Sequence, residues 1–475
     1  MLTYPLGQRG NRPLYQYLAD RLRDDLAAGV ISPGERLPSK RRFAEHHGVS
    51  LVTVEAAYRT LLDEGFIEAR ERRGYFAAAL RQPGASATPA VTSLPPLPVP
   101  AGESTFPYAT WSRTIREVLR DENERSLALA AESPGAIQLR QALTDHIRRF
   151  NGLEVDPERI VIGAGSQTLD SLVADMLGPH AHFGVEDPGY PLLPRLYEAR
   201  GVAWSPIPLD ASGLSVDALE DSGVTAAHVT PSAQFPTGIA MPMARRYELL
   251  SWASKHDDRY LIEDDYAREF VLDDPALPTL ASIDPAGRVI YTNTLTLTLG
   301  AGFRMGYMVL PEHLVPVFHE RLGFLACTVS ALEQLALARF LGSGGFERHI
   351  HRLRTHYRRL REQLVTALAD VPGLEVASDR VAPRLLVQTS PDATGRACAA
   401  FTCRGATCRP LADFRVSGRD EADPTTLLVD YRALEGDSVA ELADRVRHAL
   451  AAPSTHPDTA AAGRFVRPAA TDDNA

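Results

Sequence analysis

Four short stretches between residues 155 and 310 carry the side chains and turns that would hold a flat, phosphorylated ring. RIVIGAGSQTLDSL (159–172) runs from an apolar strand into a glycine-rich turn and a helix, which offers the backbone N–H groups of Gly165, Ser166 and Gln167 to an anion. VEDPGYP (185–191) sets Tyr190 behind a turn, where an aromatic face can stack on a planar ring. YLIEDDY (260–266) ends an apolar strand in carboxylates, and strand ends are where α/β sheets hold ligands. TNTLTLTLGAGFRMGY (292–307) adds the hydroxyls of Thr294 and Thr296 and the guanidinium of Arg304, a set suited to a phosphate dianion. Each stretch also has an ordinary explanation, as an α/β loop, a core tyrosine or a solvated strand end.

An amine nucleophile is the group in shortest supply. Lys40 and Lys255 are the only lysines among 50 Lys plus Arg residues, and Lys255 falls on the helical pattern ELLSWASKHDD rather than on a loop beside the other groups. Arginine cannot replace a reactive lysine, because its guanidinium stays protonated at neutral pH. The other reactive residue types organise less well. Cys398, Cys403 and Cys408 have four residues between neighbours, which is not the usual zinc-knuckle spacing, and no fourth ligand is obvious, so no metal site is expected. His349, His351 and His356 sit in an arginine-rich helical stretch expected to present a solvated face.

The elements that would position these groups divide the chain. Residues 108–451 alternate short apolar runs (RIVIG, AHVTP, YLIEDD, RVIYTN, MGYMVLP) with amphipathic stretches, which predicts an α/β domain. Before it, 81–107 is rich in proline and small polar residues and is predicted to be a linker; after it, 452–475 is a patternless tail. Residues 1–80 form a separate unit. Leu14, Leu18, Leu22 and Leu26 predict a first helix behind Pro13; Ser39 and Ser50 are candidate caps for two more. Val54, Ala57, Tyr58 and Leu61 form the apolar stripe of the third helix, and FIEARERRGYF reads as a two-stranded wing tipped by Arg72, Arg73 and Gly74.

Charge supports the division. The whole chain carries −10, yet residues 1–80 hold 12 Lys plus Arg against 10 Asp plus Glu, so the acidic excess lies in the remainder. A general polyanion binder is excluded, while a small nucleic-acid module at the N-terminus is not. No apolar run is long enough to cross a bilayer, the first residues lack a secretory pattern, and four cysteines are too few for a disulfide framework, so a cytoplasmic protein is expected.

The stretch GERLPSKRRFAEHHGVSLVTVEAAYRTLLDEGFIEARERRGYF resembles the GntR-family DNA-binding domain over nearly all of 12–78. Carried onto this chain, the resemblance implies that Ser39, Lys40, Arg41, Ser50, Thr53, Arg72, Arg73 and Gly74 contact double-stranded DNA. Many relatives have arginine after Gly-Val-Ser; Leu51 stands there in this chain, and Lys40 is the expected substitute.

The second region resembles the fold type I, pyridoxal-phosphate-dependent aminotransferases, and more closely the MocR/GabR subfamily of GntR regulators, through TPSAQFPTG, MARRYELLSWA, YLIEDDYAREF, VIYTNT and RMGYMVLP. That likeness implies a large α/β domain with a smaller C-terminal α+β domain. It also implies a cleft in which Ser166, Gln167, Tyr190, Asp264, Tyr266, Thr296 and Arg304 hold pyridoxal 5'-phosphate, Asp264 on the ring nitrogen and Tyr266 on the phenolic oxygen. The family's Thr-Phe-Ser-Lys is here Thr294–Leu295–Thr296–Leu297, so Leu297 stands at the Schiff-base position. Phe235 stands where classical aminotransferases have asparagine, and Arg415 is a candidate for an effector carboxylate.

The expected protein is therefore a dimeric, DNA-binding regulator whose aminotransferase-like domain senses a small effector (pyridoxal phosphate, or an amine or amino acid) without catalysis, the cofactor being non-covalent or absent. An active aminotransferase with a DNA-binding appendage is the rival, as is a regulator with no pyridoxal-phosphate site.

Overall fold

A computed structural model describes residues 3–9, 12–70, 73–78, 106–129, 131–272, 277–378, 383–403, 405–417, 425–434 and 436–451. The chain divides into two compact units, Met1–Pro98 and Val99–Ala475. Arg72, nearly all of the expected linker and the tail from 452 lie outside the described residues.

In the first unit, helices span Leu14–Ala27, Lys40–His47 and Leu51–Asp63, followed by an antiparallel hairpin of β1 (Ile67–Arg70) and β2 (Gly74–Ala77). Both serine caps form. Ser39 Oγ accepts from the Arg42 N–H at 3.3 Å and Ser50 Oγ from the Thr53 N–H at 3.2 Å, each satisfying a helix-start donor that has no intrahelical partner. Gly48 takes a left-handed φ of 63°, which ends the second helix and turns the chain into the third. Leu18, Leu22, Phe43, Val54, Tyr58 and Leu61 close the core, leaving Leu51 and Val52 exposed at the start of the third helix.

The second unit is built on a mixed sheet. Its strands are β3 (Ile160–Gly163), β4 (His182–Asp187), β5 (Ala203–Asp210), β6 (Gly213–Leu214), β7 (Ala226–Val229), β8 (Tyr260–Asp264), β9 (Val289–Thr294) and β10 (Gly306–Val309). They lie in the order β3-β10-β9-β8-β7-β4-β5-β6, with β5, β4, β7, β8 and β9 mutually parallel and β10 antiparallel to both neighbours. The central strands are buried almost throughout, as in VIYTNT and GYMV. A second, antiparallel sheet has the order β11-β12-β14-β13, from β11 (Leu374–Ser378), β12 (Arg384–Thr389), β13 (Thr407–Pro410) and β14 (Thr426–Asp430). Its inner face, Leu385, Val387, Leu427 and Val429, packs with the long helix Gly345–Ala369 and the helix Val439–Ala451. The chain thus joins a winged helix-turn-helix to a large α/β domain and a smaller α+β domain.

Two expectations need correction. The predicted linker ran to 107, but Phe106 is 7% exposed and its ring meets Trp111, Phe303, Phe340 and His349. Proline-rich composition hid an aromatic anchor of the second unit. The long helix was expected to expose its histidines; His349 instead is fully buried, with Nε2 2.6 Å from the Thr298 carbonyl oxygen, which ties this helix to the turn after β9.

Arg246 shows how the fold fixes the loop between β7 and the helix Met243–Ser254. Its guanidinium is 1% exposed and donates to the carbonyls of Met241, Pro278 and Pro231, with the buried Glu263 carboxylate 4.0 Å away. Arg246→Met would strand three carbonyls and an unneutralised carboxylate, and is expected to cost about 3 kcal/mol or more in urea denaturation of the full chain. Arg246→Lys should recover little, since one ammonium cannot reproduce a planar fork; a loss within about 0.5 kcal/mol for Arg246→Met would contradict the clamp.

Candidate functional site

The first unit exposes Ser39, Arg41, Ser50, Arg73 and Gly74, with Lys40 and Thr53 half-buried. The hydroxyls of Ser39 and Ser50 are engaged as caps, and Ser50 Oγ also lies 2.7 Å from Thr53 Oγ1. At the wing, Gly74 adopts φ 102°, beside the exposed Arg36, whose guanidinium would lie 3.5 Å from a side chain placed there. Arg36 is a cation that the sequence pattern did not single out. Lys40, the expected stand-in for the arginine lost at Leu51, turns to Glu55 at 3.2 Å and lies over the Tyr75 ring, so its charge is partly spent within the domain.

In the second unit, a cleft of about 180 Å³ opens at the carboxyl ends of the parallel strands. It is lined by Ser166, Gln167, Tyr190, Asp264, Tyr266, Thr296, Leu297 and Arg304, so the side chains that the sequence suggested for a ring and its phosphate come together, with Gly165 just outside the lining. Thr294, Thr230 and Phe235 complete its large-domain wall, and Arg384 and Arg432 enter from the small domain.

The anion end follows from the turn after β3. Gly165 has φ 81° and precedes the helix Ser166–Leu177, whose first amides have no side-chain cap. The Arg304 guanidinium packs 3.1 Å from where a Gly165 side chain would begin and donates to the Ala164 carbonyl at 3.2 Å. Arg304 itself holds φ 48°, a left-handed conformation that side chains rarely adopt and that recurs at functional sites. Thr294 and Thr296 hydroxyls stand 2.8 Å apart, and the whole set presents hydroxyls, amides and one guanidinium to an anion.

The floor is set by Asp264 at the end of β8. Its carboxylate is 3.9 Å from Nε2 of the buried His228, whose Nδ1 faces the Tyr197 hydroxyl at 3.2 Å. Burial works to lower the His228 imidazolium, but Asp264, Asp170 and Glu186 outweigh it and raise the group. Asp170, buried on the same side, is pushed up to about 7 by loss of solvent. Tyr190 and Tyr266 flank Phe235 with edge contacts of 6.1 and 6.4 Å between ring centres. Burial pushes the Tyr266 phenol up to about 12, so it acts as a hydrogen-bonding hydroxyl rather than a phenolate.

Two positions are informative for what they are not. Leu297 lines the cleft beside Tyr266, packed over Ala233 and Ala267. Lys255 lies at the end of the helix Met243–Ser254, exposed and paired with Glu220 at 3.1 Å, and is not part of the cleft wall. Arg415 is also absent from the wall: it reaches the Asp187 carbonyl at 3.4 Å and carboxylate at 3.8 Å, and with Val416 secures the end of β4. Arginines do enter from the small domain, but they are Arg384 and Arg432. No group of three or more metal-ligating side chains occurs among the described residues, the four cysteines are thiols, and no described helix is long and apolar enough to cross a membrane.

Comparison with known proteins agrees with this geometry. Residues 14–76 match the family of bacterial regulatory proteins called the gntR family, and residues 100–419 match aminotransferase class I and II. The HTH-type transcriptional regulator YhdI of Bacillus subtilis is 30% identical over 92% of this chain and 96% of its own length. The HTH-type pyridoxine biosynthesis transcriptional regulator PdxR of Corynebacterium glutamicum is 32% identical over 76% of this chain and 80% of its own. Among solved structures, an archaeal alanine:glyoxylate aminotransferase superposes with a TM-score of 0.65 at 23% identity, covering 74% of this chain and 89% of that one, which establishes the fold. The chain therefore belongs to the HTH-type transcriptional regulators in which a GntR DNA-binding domain is fused to a class I and II aminotransferase-like domain.

Proposed function

We propose that this regulator uses the aminotransferase-like domain as a non-catalytic sensor that holds pyridoxal phosphate reversibly and reports its presence to the DNA-binding domain. The observation that carries the reading is Leu297, an apolar side chain in the wall of a cleft otherwise furnished for a phosphorylated ring. It takes the place of the family's Schiff-base lysine.

The donor set fits the ring and its phosphate and does not fit a covalent link. Gly165, Ser166, Gln167, Thr294, Thr296 and Arg304 suit the phosphate, Tyr190 suits one ring face, and Asp264, with His228 behind it, suits a protonated ring nitrogen. Tyr266 offers a hydroxyl for the phenolic oxygen. When bound, pyridoxal phosphate supplies an aldehyde that condenses with amines. The chain contributes no amine at 297 to exchange with them, and Lys255 is occupied with Glu220, so turnover of amino acids is not part of the reading. The name of PdxR, a pyridoxine biosynthesis regulator, supports a ligand of this class. A dimer is the expected state, since paired half-sites need two wings.

Two outcomes test the reading. Pyridoxal phosphate added to the wild-type chain should bind reversibly, be removed by dialysis, and leave no borohydride-fixed mass increment, whereas Leu297→Lys should gain a fixed adduct at residue 297. A fixed adduct on the wild-type chain, mapped by peptide mass, would refute it.

DNA binding should fall steeply with salt, because each phosphate neutralised releases counterions. Arg41→Ala, Arg72→Ala and Arg73→Ala should each weaken binding to all sequences and reduce the slope of log K against log salt by about 1. Residues 81–475 alone should not bind the operator; if they retained the affinity of the full chain, the N-terminal assignment would fail.

A further inference from the structure

At the start of the third helix of the first unit, the polar side chains are engaged within the unit and the apolar ones face outward. Ser50 Oγ accepts from the Thr53 N–H at 3.2 Å and lies 2.7 Å from Thr53 Oγ1, so these two hydroxyls satisfy the helix end and each other. On the helix before it, Ser39 Oγ accepts from the Arg42 amide, and the Lys40 ammonium is held by Glu55 at 3.2 Å. What the end of the third helix offers to an approaching surface is Leu51, 39% exposed, and Val52, 73% exposed. The core needs neither of them, because Val54, Ala57, Tyr58 and Leu61 are the residues of this helix that pack with Leu18, Leu22 and Phe43.

The surroundings bear on what covers this pair. Arg41 and Arg42, in the first turn of the second helix, are exposed, and Arg59 is exposed about two turns after Val52 on the same face. Glu55, the acidic residue of that face, is paired with Lys40. An apolar pair rimmed by guanidiniums suits a polyanion that carries an apolar group at the centre of the contact. On the base edges in the major groove of duplex DNA that group is the C5 methyl of thymine; the other features there are hydrogen-bond donors and acceptors, which neither Leu51 nor Val52 can satisfy. Building on the assignment of DNA binding to the first unit, we propose that Leu51 and Val52 read the C5 methyl groups of thymines in the major groove and so fix thymine at defined positions of each half-site. Arg41, Arg42 and Arg59 serve the flanking phosphates, which carry no sequence information.

The test lets the full-length chain select from a pool of random-sequence duplexes. The tightest duplex is then remade with deoxyuridine in place of one thymine at a time, which removes a methyl and leaves the hydrogen-bonding edge unchanged. The wild type should lose about 4-fold in affinity at each thymine that is read, the scale of one methyl group returned to water. Leu51→Ala and Val52→Ala, truncations at exposed positions outside the core, should each bring the thymine-to-deoxyuridine ratio toward one at the thymine concerned. If every thymine of the selected duplex tolerates deoxyuridine without loss, methyl reading is refuted while DNA binding by the first unit stands. Variants that weaken binding to both duplexes and preserve their ratio would also refute it, because that is the signature of a merely structural role. If the wild type selects no duplex at all, the DNA-binding assignment falls and the methyl contact falls with it.

Discussion

Strands β8 and β9 run in parallel with Asp264 opposite Thr292, and β10 turns back against β9 with Gly306 opposite Thr294. The rest of the cleft depends on this register, because successive side chains of a strand point to opposite faces and a slip of one residue would exchange them. Three consecutive carboxylates illustrate it. Glu263 accepts from the Leu280 and Ala281 amides on one side, Asp264 lines the cleft, and Asp265 is buried near Arg268 and accepts from the Tyr291 hydroxyl. Gly306 is what lets β10 approach: a side chain there would begin 2.9 Å from the Asn293 carbonyl oxygen. Thr294, Thr296, Leu297 and Arg304 are brought to the cleft by the same turn.

Holding so many charges out of water has a cost that the fold meets locally. Glu186 is raised by burial yet accepts from the Thr230 amide and Gln234, which fixes the loop that carries Phe235. Arg246 secures the same loop from the other side through Pro231 and Met241. The wall around Arg304 stays comparatively open, with Arg304 exposed, whereas Asp170, Glu186 and His228 beneath Asp264 are buried.

The legible parts of the sequence were those governed by short-range rules. Ser39 and Ser50 announce helix starts because a hydroxyl at that spacing meets an orphan amide, and both caps form. The strand-end residues were visible because each sits in a local strand-turn pattern. Arg384 and Arg432 were not: Asp430 pairs with both, Arg384 lies over the rings of Phe235 and Tyr266 more than a hundred residues away, and nothing local marks them. Asp430-x-Arg432 at a strand end was the available signal. Arg415 drew attention by its place in the chain, but Asp187 claims it. Phe106 was masked by its proline-rich neighbours, and His349 by the arginines around it, because the period that buries it is shared with a solvated face.

On the proposed reading, a leucine rather than an amine at residue 297 changes what the cleft would report. A covalently held ring would occupy the site at almost any concentration, and occupancy would carry no information about supply. A ring held only by ion pairs, stacking and amides is bound in proportion to its concentration, and stabilises the bound state by RT ln(1 + [L]/Kd), about 1.4 kcal/mol at ten times Kd. That free energy shifts DNA binding only as far as the ligand prefers one conformation over another. Contacts that join two domains supply such a preference, because a ligand resting on one domain alone would bind equally well however the domains stand. Among the cleft residues, Arg384 on β12 and Arg432 just after β14 are the ones that belong to the small domain. On the proposed reading, a ligand seated on the large domain would be felt by the small domain through these two guanidiniums.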